Sequence, residues 1–575
     1  MGTAAGAVTS RFVMRATRTD SPIRSARRLA VGAFALLGAI AAALALTLPH
    51  EAESATGDNV IFILTDDQAA SELAAMPNTS ALIGGQGVTF GRAYVPYPLC
   101  CPSRASLLSG QYLHKHGVRG NIGPHGGWTR FIPHESNALP VWTKDAGYYN
   151  VHLGKYMNGY ASEPSTPLPV PAGWDEWYGK VSEGPLYFNY QLIEKTGPGD
   201  TPELAFYGDQ DSEYQTDVLS EKAVEFIDTA GAPETPFMMN VWFNAPHGPF
   251  DPAPRHLFTQ TGPLPKVQAF NEKDVSDKPK WLRKQAKKKI GRGLVKTIEI
   301  ERRRRLEMLR SVDEGVGAMV AELAQEGILD DTYIVFASDN GFFRGEHRIA
   351  GGKYLAYEPS ARVPLMIRGP GIPAGGVSDE LVSSLDITQT VVQIATGSTD
   401  DALDGRSLLP YAENTALRST RPILLEADTG PGQGSPGFDP ESANASVARV
   451  AKARLLGRRG VKNLDQEKMA TKSVANGNFA PAYRAVRTDR YLYVLYANKQ
   501  SELYDMRRDP AQLRNVAGDR RYRAVRRWLF RHMVGLTTCS GPSCRVEVGA
   551  DPRPRKKKPR PKPKRKKQAA EKLAP

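Results

Sequence analysis

An Asp-Asp pair, an Asp-Asn pair and one unusual cysteine carry the most distinctive chemistry in this 575-residue chain. Asp66-Asp67 closes the apolar run Val60-Ile61-Phe62-Ile63-Leu64-Thr65, and Asp339-Asn340 follows the run from Thr332 to Ala337 and Ser338. Hard oxygen side chains at two strand ends suit calcium or magnesium rather than zinc, although either pair alone would also fit an ordinary turn. Cys100 and Cys101 are adjacent and precede Pro102-Ser103-Arg104. Neighbouring cysteines close a strained ring if bonded, so a reactive or modified Cys100 is the better reading. The other two cysteines, Cys539 and Cys544, enclose Ser-Gly-Pro-Ser. That turn-rich spacing suits a small disulfide in an oxidising compartment.

Such residues need a scaffold. The runs at 60–65, 237–243 and 332–337 are continuous, apolar and rich in β-branched or aromatic side chains, which reads as strands buried on both faces. The second of them ends in Asn244-Ala245-Pro246-His247-Gly248. Three such strands, each ending in polar or ionisable residues, predict a largely parallel α/β sheet with its site at the strands' C-terminal ends. Leu306, Leu309, Val312, Val316, Val320 and Leu323 make one apolar helix face, and a further helix is expected over 381–394. After Gly405-Arg406-Ser407 the pattern shifts to short strands at 422–425, 483–487, 491–496 and 502–504, with a closing helix near 522–533. The expected organisation is an N-terminal segment 1–55, a catalytic domain 56–415, a smaller antiparallel-sheet domain 416–537, and a disulfide turn with a disordered basic tail over 538–575. A Gly/Pro-rich loop at 428–444 has the composition to overhang the site.

The net charge of +14 is unevenly spread. Residues 1–28 hold six Arg and one Asp, and residues 551–575 hold twelve Lys/Arg and two acids, which leaves a body near −1. Nucleic acid is therefore not the expected partner of the body. The tail, alternating Pro with Lys and Arg, is expected to hold anionic cell-surface polymers or lipid headgroups. Arg27-Arg28 and the apolar stretch 29–48 read as a signal peptide or signal anchor, so everything after it is expected to be exported, either secreted or held at the membrane.

Cys100-Cys101-Pro102-Ser103-Arg104, with Leu108-Ser109-Gly110 downstream, resembles the sulfatase signature of Cys-x-Pro-Ser-Arg and Leu-x-Gly. Thr65-Asp66-Asp67-Gln68 and Ser338-Asp339-Asn340-Gly341 are similar to that family's two metal motifs, in the right order. The resemblance implies an alkaline-phosphatase-like α/β fold with a smaller C-terminal antiparallel domain. It also implies that a maturase oxidises Cys100 to formylglycine, whose hydrated aldehyde attacks sulfur. Asp66, Asp67, Asp339, Asn340 and the modified Cys100 would ligate one divalent ion, calcium with magnesium as the alternative. Arg104 would steady the modified residue. Lys155 and Lys353 match the lysines that bind sulfate oxygens, and His247 the histidine that contacts sulfate and protonates the departing oxygen. Many sulfatases carry a histidine two residues after the first lysine, where this chain has Met157. His152 and His347 are the remaining candidates for the proton transfer that expels sulfate, with His347 also expected against the substrate. Gly154-Lys155-Tyr156-Met157-Asn158, the Cys-Cys pair, His114-x-His116 and Glu502-Leu503-Tyr504-Asp505 resemble the N-acetylglucosamine-6-sulfatase and extracellular heparan sulfatase branch. That implies a sulfated sugar as substrate. The alternatives are an aryl or other small sulfate ester, a phosphate or phosphonate ester on the same fold, and an inactive glycan-binding surface protein. The stretch from Lys278 to Arg310, with fourteen Lys/Arg and three Glu, reads as a solvated face or as a surface that steers a polyanion.

Overall fold

The computed structural model describes residues 57–163, 165–182, 184–230, 235–265, 267–428 and 480–555. The segment 1–55, all but the first residue of the loop 428–444, and the tail from 556 onward lie outside the described residues. Eleven strands make the main sheet: β1 (Asn59–Thr65), β2 (Val88–Tyr94), β3 (Tyr149–Gly154), β4 (Glu176–Lys180), β5 (Tyr190–Lys195), β6 (Glu203–Tyr207), β7 (Phe237–Trp242), β8 (Thr332–Ser338), β9 (Arg362–Val363), β10 (Leu365–Arg368) and β11 (Gly376–Ser383). Their order is β11-β2-β10-β8-β1-β7-β3-β4-β5-β6, with β9 paired to β2.

The five central strands, β8, β1, β7, β3 and β4, are mutually parallel. Towards the edges, β10 runs antiparallel to both β8 and β2, and β5 and β6 run antiparallel on the other side. The sheet is thus mixed where the sequence reading expected a largely parallel one. For β5 and β6 the reason is chain length, because the connections 181–189 and 196–202 are too short for the crossover that a parallel neighbour requires. β2 still points the same way as β8, since each opposes β10. With β11 parallel to β2 and β6 opposing β5, eight of the eleven strands run in one direction.

Both faces of the sheet are covered. Val60, Phe62 and Leu64 enter one core and Ile61 and Ile63 the other, which explains why β1 reads as an unbroken apolar run. On the first face lie α1 (Cys100–Ser109) and, further along the chain, a helix that begins at Leu385; on the second lie α2 (Gln215–Ala230) and α3 (Arg292–Gln325). All six apolar positions read from the sequence between Leu306 and Leu323 are buried in α3. The helix expected over 381–394 instead starts at Leu385 as α4 (Leu385–Thr396). Leu381 to Ser383 belong to β11, where they pair with Arg92 to Tyr94; ladder bonds to β2 override local helical spacing there.

A second, four-stranded antiparallel sheet follows: β12 (Ile423–Ala427), β13 (Tyr483–Arg487), β14 (Tyr491–Tyr496) and β15 (Ser501–Asp505). α5 (Arg523–Leu536) covers it with Val525, Leu529, Met533 and Leu536. Cys539 and Cys544 are bonded to each other and buried in the same cluster. The tail expected to be disordered from Asp551 begins ordered, because the Asp551 carboxylate accepts from Thr488 Oγ1 and the Arg490 amide, and Pro552 takes the Tyr491 hydroxyl. His114 and His116, quoted above for their resemblance, are structural. His114 bonds Glu426 of β12 at 2.9 Å and the Cys539 carbonyl at 3.0 Å, whereas buried His116 bonds Ser106 at 3.1 Å.

Arg421, just before β12, makes a bidentate pair with Asp386 of α4, both fully enclosed. Asp386 also accepts from the amides of Ser383 and Arg406. Arg421→Met leaves that carboxylate without its cation and is expected to cost ~3–5 kcal/mol, read as a lowered urea midpoint. Adding Asp386→Asn should recover part of the loss, because contacting residues are not additive; a fully additive double variant would show the pair to be uncoupled.

Candidate active site

The site is assembled at the edge where the co-directed strands end. Thr65 of β1 lies opposite Ser338 of β8, which sets Asp66-Asp67 beside Asp339-Asn340. The Asp66 amide donates to the Ala245 carbonyl beyond β7, and the Asp339 amide to the Thr65 carbonyl, both at 3.1 Å. Asp67 sits at φ 69°, a left-handed conformation that Asp tolerates better than most residues. Three bonds hold it there: its amide to Asp339 Oδ1 at 3.1 Å, its carboxylate to Asn340 Nδ2 at 2.6 Å, and its carbonyl to Arg305 Nη2 at 2.5 Å.

β2 delivers the cysteine. α1 begins at Cys100 with no side-chain cap, and all ten of its residues are buried. One of the unpaired amides at its start, that of Cys101, is met by Asn121 Oδ1 at 3.0 Å. Cys101 Sγ turns away to Asn158, 3.2 Å from its Oδ1. The two features quoted for one sulfatase branch, the Cys-Cys pair and the Gly-Lys-Tyr-x-Asn stretch, therefore touch each other. Cys100 Sγ lies 3.4 Å from Asp66 Oδ1 and 2.8 Å from Lys353 Nζ.

Three cations face the three carboxylates. Arg104 donates to Asp339 Oδ2 at 2.8 Å and to the Lys155 carbonyl at 2.6 Å. Lys155 pairs with Asp66, and Lys353 with Asp67. Lys155 follows Gly154, whose φ of 102° and close approach to the Trp242 carbonyl leave no room for a Cβ. That is the physical content of a Gly-Lys pair that alone would read as a solvated turn. Burial would raise the Asp66 carboxyl, but Lys155, His247, Arg104 and Lys353 hold it well below its ordinary value. Burial lowers lysine ammonium groups, yet Asp66 keeps Lys155 and Asp67 keeps Lys353 raised. Burial and the Asp66 charge push the Cys100 thiol well up, so the unmodified residue is a neutral thiol and a poor nucleophile at neutral pH.

Ligand atoms of Asp66, Asp67, Cys100 and His247 all lie within 4.8 Å of one another. His247 Nδ1 donates to the Gly248 carbonyl at 2.6 Å, which sets Nε2 3.8 Å from Asp67. Asn340 Oδ1 is buried and takes no hydrogen bond. An orphaned amide oxygen beside crowded carboxylates fits a hard divalent cation.

Residues 58–398 match the family model described as Sulfatase. The chain belongs to the sulfatase family. This sulfatase is 32% identical to the N-acetylglucosamine-6-sulfatase of Homo sapiens over 515 residues, covering 86% of this chain and 87% of that one. It is 31% identical over 527 residues to an arylsulfatase of Volvox carteri, covering 84% and 75%. A solved structure described as in complex with its substrate D-glucosamine-2-N,6-O-disulfate superposes with a TM-score of 0.62 over 83% of this chain and 97% of that one, at 22% identity, and supports the fold. The architecture is thus alkaline-phosphatase-like, and the sulfatase is a sulfate ester hydrolase.

Two histidines weighed from the sequence are committed elsewhere. His152 is stacked on Trp177 at 4.4 Å and ringed by Trp174 and Trp242, and its burial lowers it to about 3, which keeps it neutral. His347 spends Nδ1 on Glu272 at 2.7 Å and lies on Tyr357, while its buried Nε2 takes no hydrogen bond among the described residues. Met157 packs into the core. Glu72, Asn121 and the site role of Arg305 escaped sequence reasoning, because each acts through a partner distant in the chain. Arg305 had been read only as one of fourteen basic residues on a solvated or steering face; it is instead fully buried between Glu72 and the carbonyls of Asp67 and Pro246. Arg305 and Arg344 overcome burial to hold Glu72 at about 2. Arg305→Lys keeps the charge but cannot bond both partners in a fork. It is expected to lower kcat by ~10²-fold through misplacement of Asp67, with only a small change in thermal unfolding; near-wild-type kcat would show that Asp67 is held without it.

Proposed function

We propose that this sulfatase is an exported enzyme that removes sulfate from a sugar of the N-acetylglucosamine-6-sulfate type, using Cys100 converted to formylglycine. The observation that carries the reading is the position of Cys100 Sγ, 2.8 Å from Lys353 Nζ and 3.4 Å from Asp66. A neutral buried thiol there has little chemistry of its own, whereas a hydrated aldehyde would supply the hydroxyl that attacks sulfur. The sugar assignment rests on the named activity of the human relative and on the branch motifs. Export rests on the apolar stretch at 29–48 and on the Cys539–Cys544 disulfide. Among the described residues no helix is long and apolar enough to cross a membrane. A formylglycine-generating maturase is then the required partner.

In this reading Lys155 and Lys353 bind the anionic sulfuryl oxygens as charge builds on them. Arg104, locked to Asp339 and to the Lys155 carbonyl, holds residue 100 and Lys155 in register. His247, oriented through Nδ1, presents Nε2 to protonate the departing sugar oxygen. A divalent ion held by Asp66, Asp67, Asp339, Asn340 and the modified residue 100, calcium with magnesium as the alternative, would add Lewis acidity at the nucleophile. An aryl sulfate is the second reading, favoured by the arylsulfatase relative; paired turnover of glucosamine 6-sulfate and an aryl sulfate separates the two.

Mass spectrometry of the tryptic peptide 93–104, from protein made with the maturase, is expected to show an aldehyde at Cys100. An intact thiol under those conditions would remove the nucleophile. Calcium is expected to raise the thermal midpoint of the wild type, and Asn340→Leu to abolish that rise while lowering the metal-free midpoint, since the amide's bond to the Asp67 carboxylate is lost. An undiminished calcium shift in that variant would take Asn340 out of the ligand set.

A further inference from the structure

Between residues 278 and 298 the chain carries nine lysines and arginines and no acid. Lys278 is turned inward, bonded to Glu272 at 3.1 Å and to the carbonyls of Gln512 and Leu513. The other eight are exposed, and none makes an ion pair among the described residues. Eight exposed like charges without ion pairs repel one another, and a polyanion laid across them would relieve that repulsion.

Its attachment ties it to the active site. Arg348 donates to the carbonyls of Ala286 and Glu272, both at 2.8 Å, and of Lys273 at 2.9 Å. Asn271 exchanges two bonds with Ile290, at 2.8 and 2.9 Å, and its amide donates to the Gly345 carbonyl at 2.8 Å. The basic loop is thereby stapled to residues 345–348, in the segment between Asn340 and Lys353. His347 and Arg348 both sit in the left-handed region, at φ 53° and 62°, a conformation that persists only where surrounding contacts enforce it. Lys353 comes five positions after Arg348, so their Cα atoms are at most ~18 Å apart. A chain of several sugars can reach across any separation up to that bound.

We propose that the exposed lysines and arginines of residues 280–296 form a landing surface for a polysulfated glycan chain, which feeds one of its sulfate esters to the adjoining site. The proposal rests on the sugar reading above and extends it from a sulfated sugar to a sulfated polymer. Complementary charge on this scale raises encounter rates by ~10-fold or more at low ionic strength and loses that advantage as salt screens it.

The test uses the full chain and a triple variant, Lys287→Gln, Lys288→Gln and Lys289→Gln, at exposed loop positions. Fluorescence anisotropy with labelled heparin as the polysulfated probe is expected to show ~10-fold weaker binding in the variant at low salt and a flatter salt dependence. Turnover of a small aryl sulfate should stay within about twofold of wild type, because a single small anion gains far less from a field of surface charges than a polyanion that meets many of them at once. Unchanged heparin binding would overturn the proposal, and so would equally strong, equally lysine-dependent binding of single-stranded DNA of matched charge. The binding measurement does not use turnover. Heparin that binds through these lysines in a preparation that desulfates no sugar therefore counts against the sugar reading and not against the surface.

Discussion

Three carboxylates and three cations share one buried volume at the sheet's edge, and neither set could stay there without the other. Asp66, Asp67 and Asp339 would repel one another out of ionisation in a water-poor site, while Arg104, Lys155 and Lys353 would lose charge or be expelled. Paired, they hold Asp66 strongly acidic and both lysines protonated. The same balance suits the chemistry. A divalent ion among the carboxylates would compete with the lysines for them, and in the proposed reaction lysines so released would meet the anionic ester.

Keeping such a cluster requires strands that agree in direction. β1, β8, β7, β3 and β2 all end on one edge, and each hands over a different part: the acidic pair, its partner pair, His247, Lys155, and Cys100 with Arg104. A one-residue slip between β1 and β8 would turn Asp66 and Asp339 to opposite faces. The continuous burial of both strands makes that slip costly, because apolar side chains fill both cores. Beyond the strands, Arg305 and Glu72 extend the charge balance outward, fixing the strained Asp67 from the side that the sheet does not reach. The second sheet contributes anchoring, through Arg421 on Asp386 and Glu426 on His114.

What the sequence alone determined is the local chemistry and the element that carries it. Unbroken apolar runs ending in Asp-Asp or Asp-Asn are visible one residue at a time, because a strand buried on both faces needs apolar side chains at every position. The Cys-x-Pro-Ser-Arg stretch, the two Gly-Lys pairs and the apolar face of α3 are legible for the same reason: each is a constraint between near neighbours. Gly154 is the exception, since the carbonyl that forbids a side chain there belongs to Trp242 on the neighbouring strand, which no local pattern records. The four short strands after residue 415 were equally readable from their turn residues.

What only the tertiary structure decided is which of the plausible residues meet. His152 and His347 look as suitable as His247 in a list of residues, but one is enclosed by indoles and the other is bonded to Glu272. Leu381 to Ser383 have helical spacing and yet form a strand, because a partner at residues 92–94 was waiting. Arg305 could not be told from its thirteen basic companions, since its role lies in a glutamate 233 positions away. Periodicity records how a segment relates to solvent and core; it carries no record of which distant group completes a charge or hydrogen bond. That choice is made by packing, and here packing made the site.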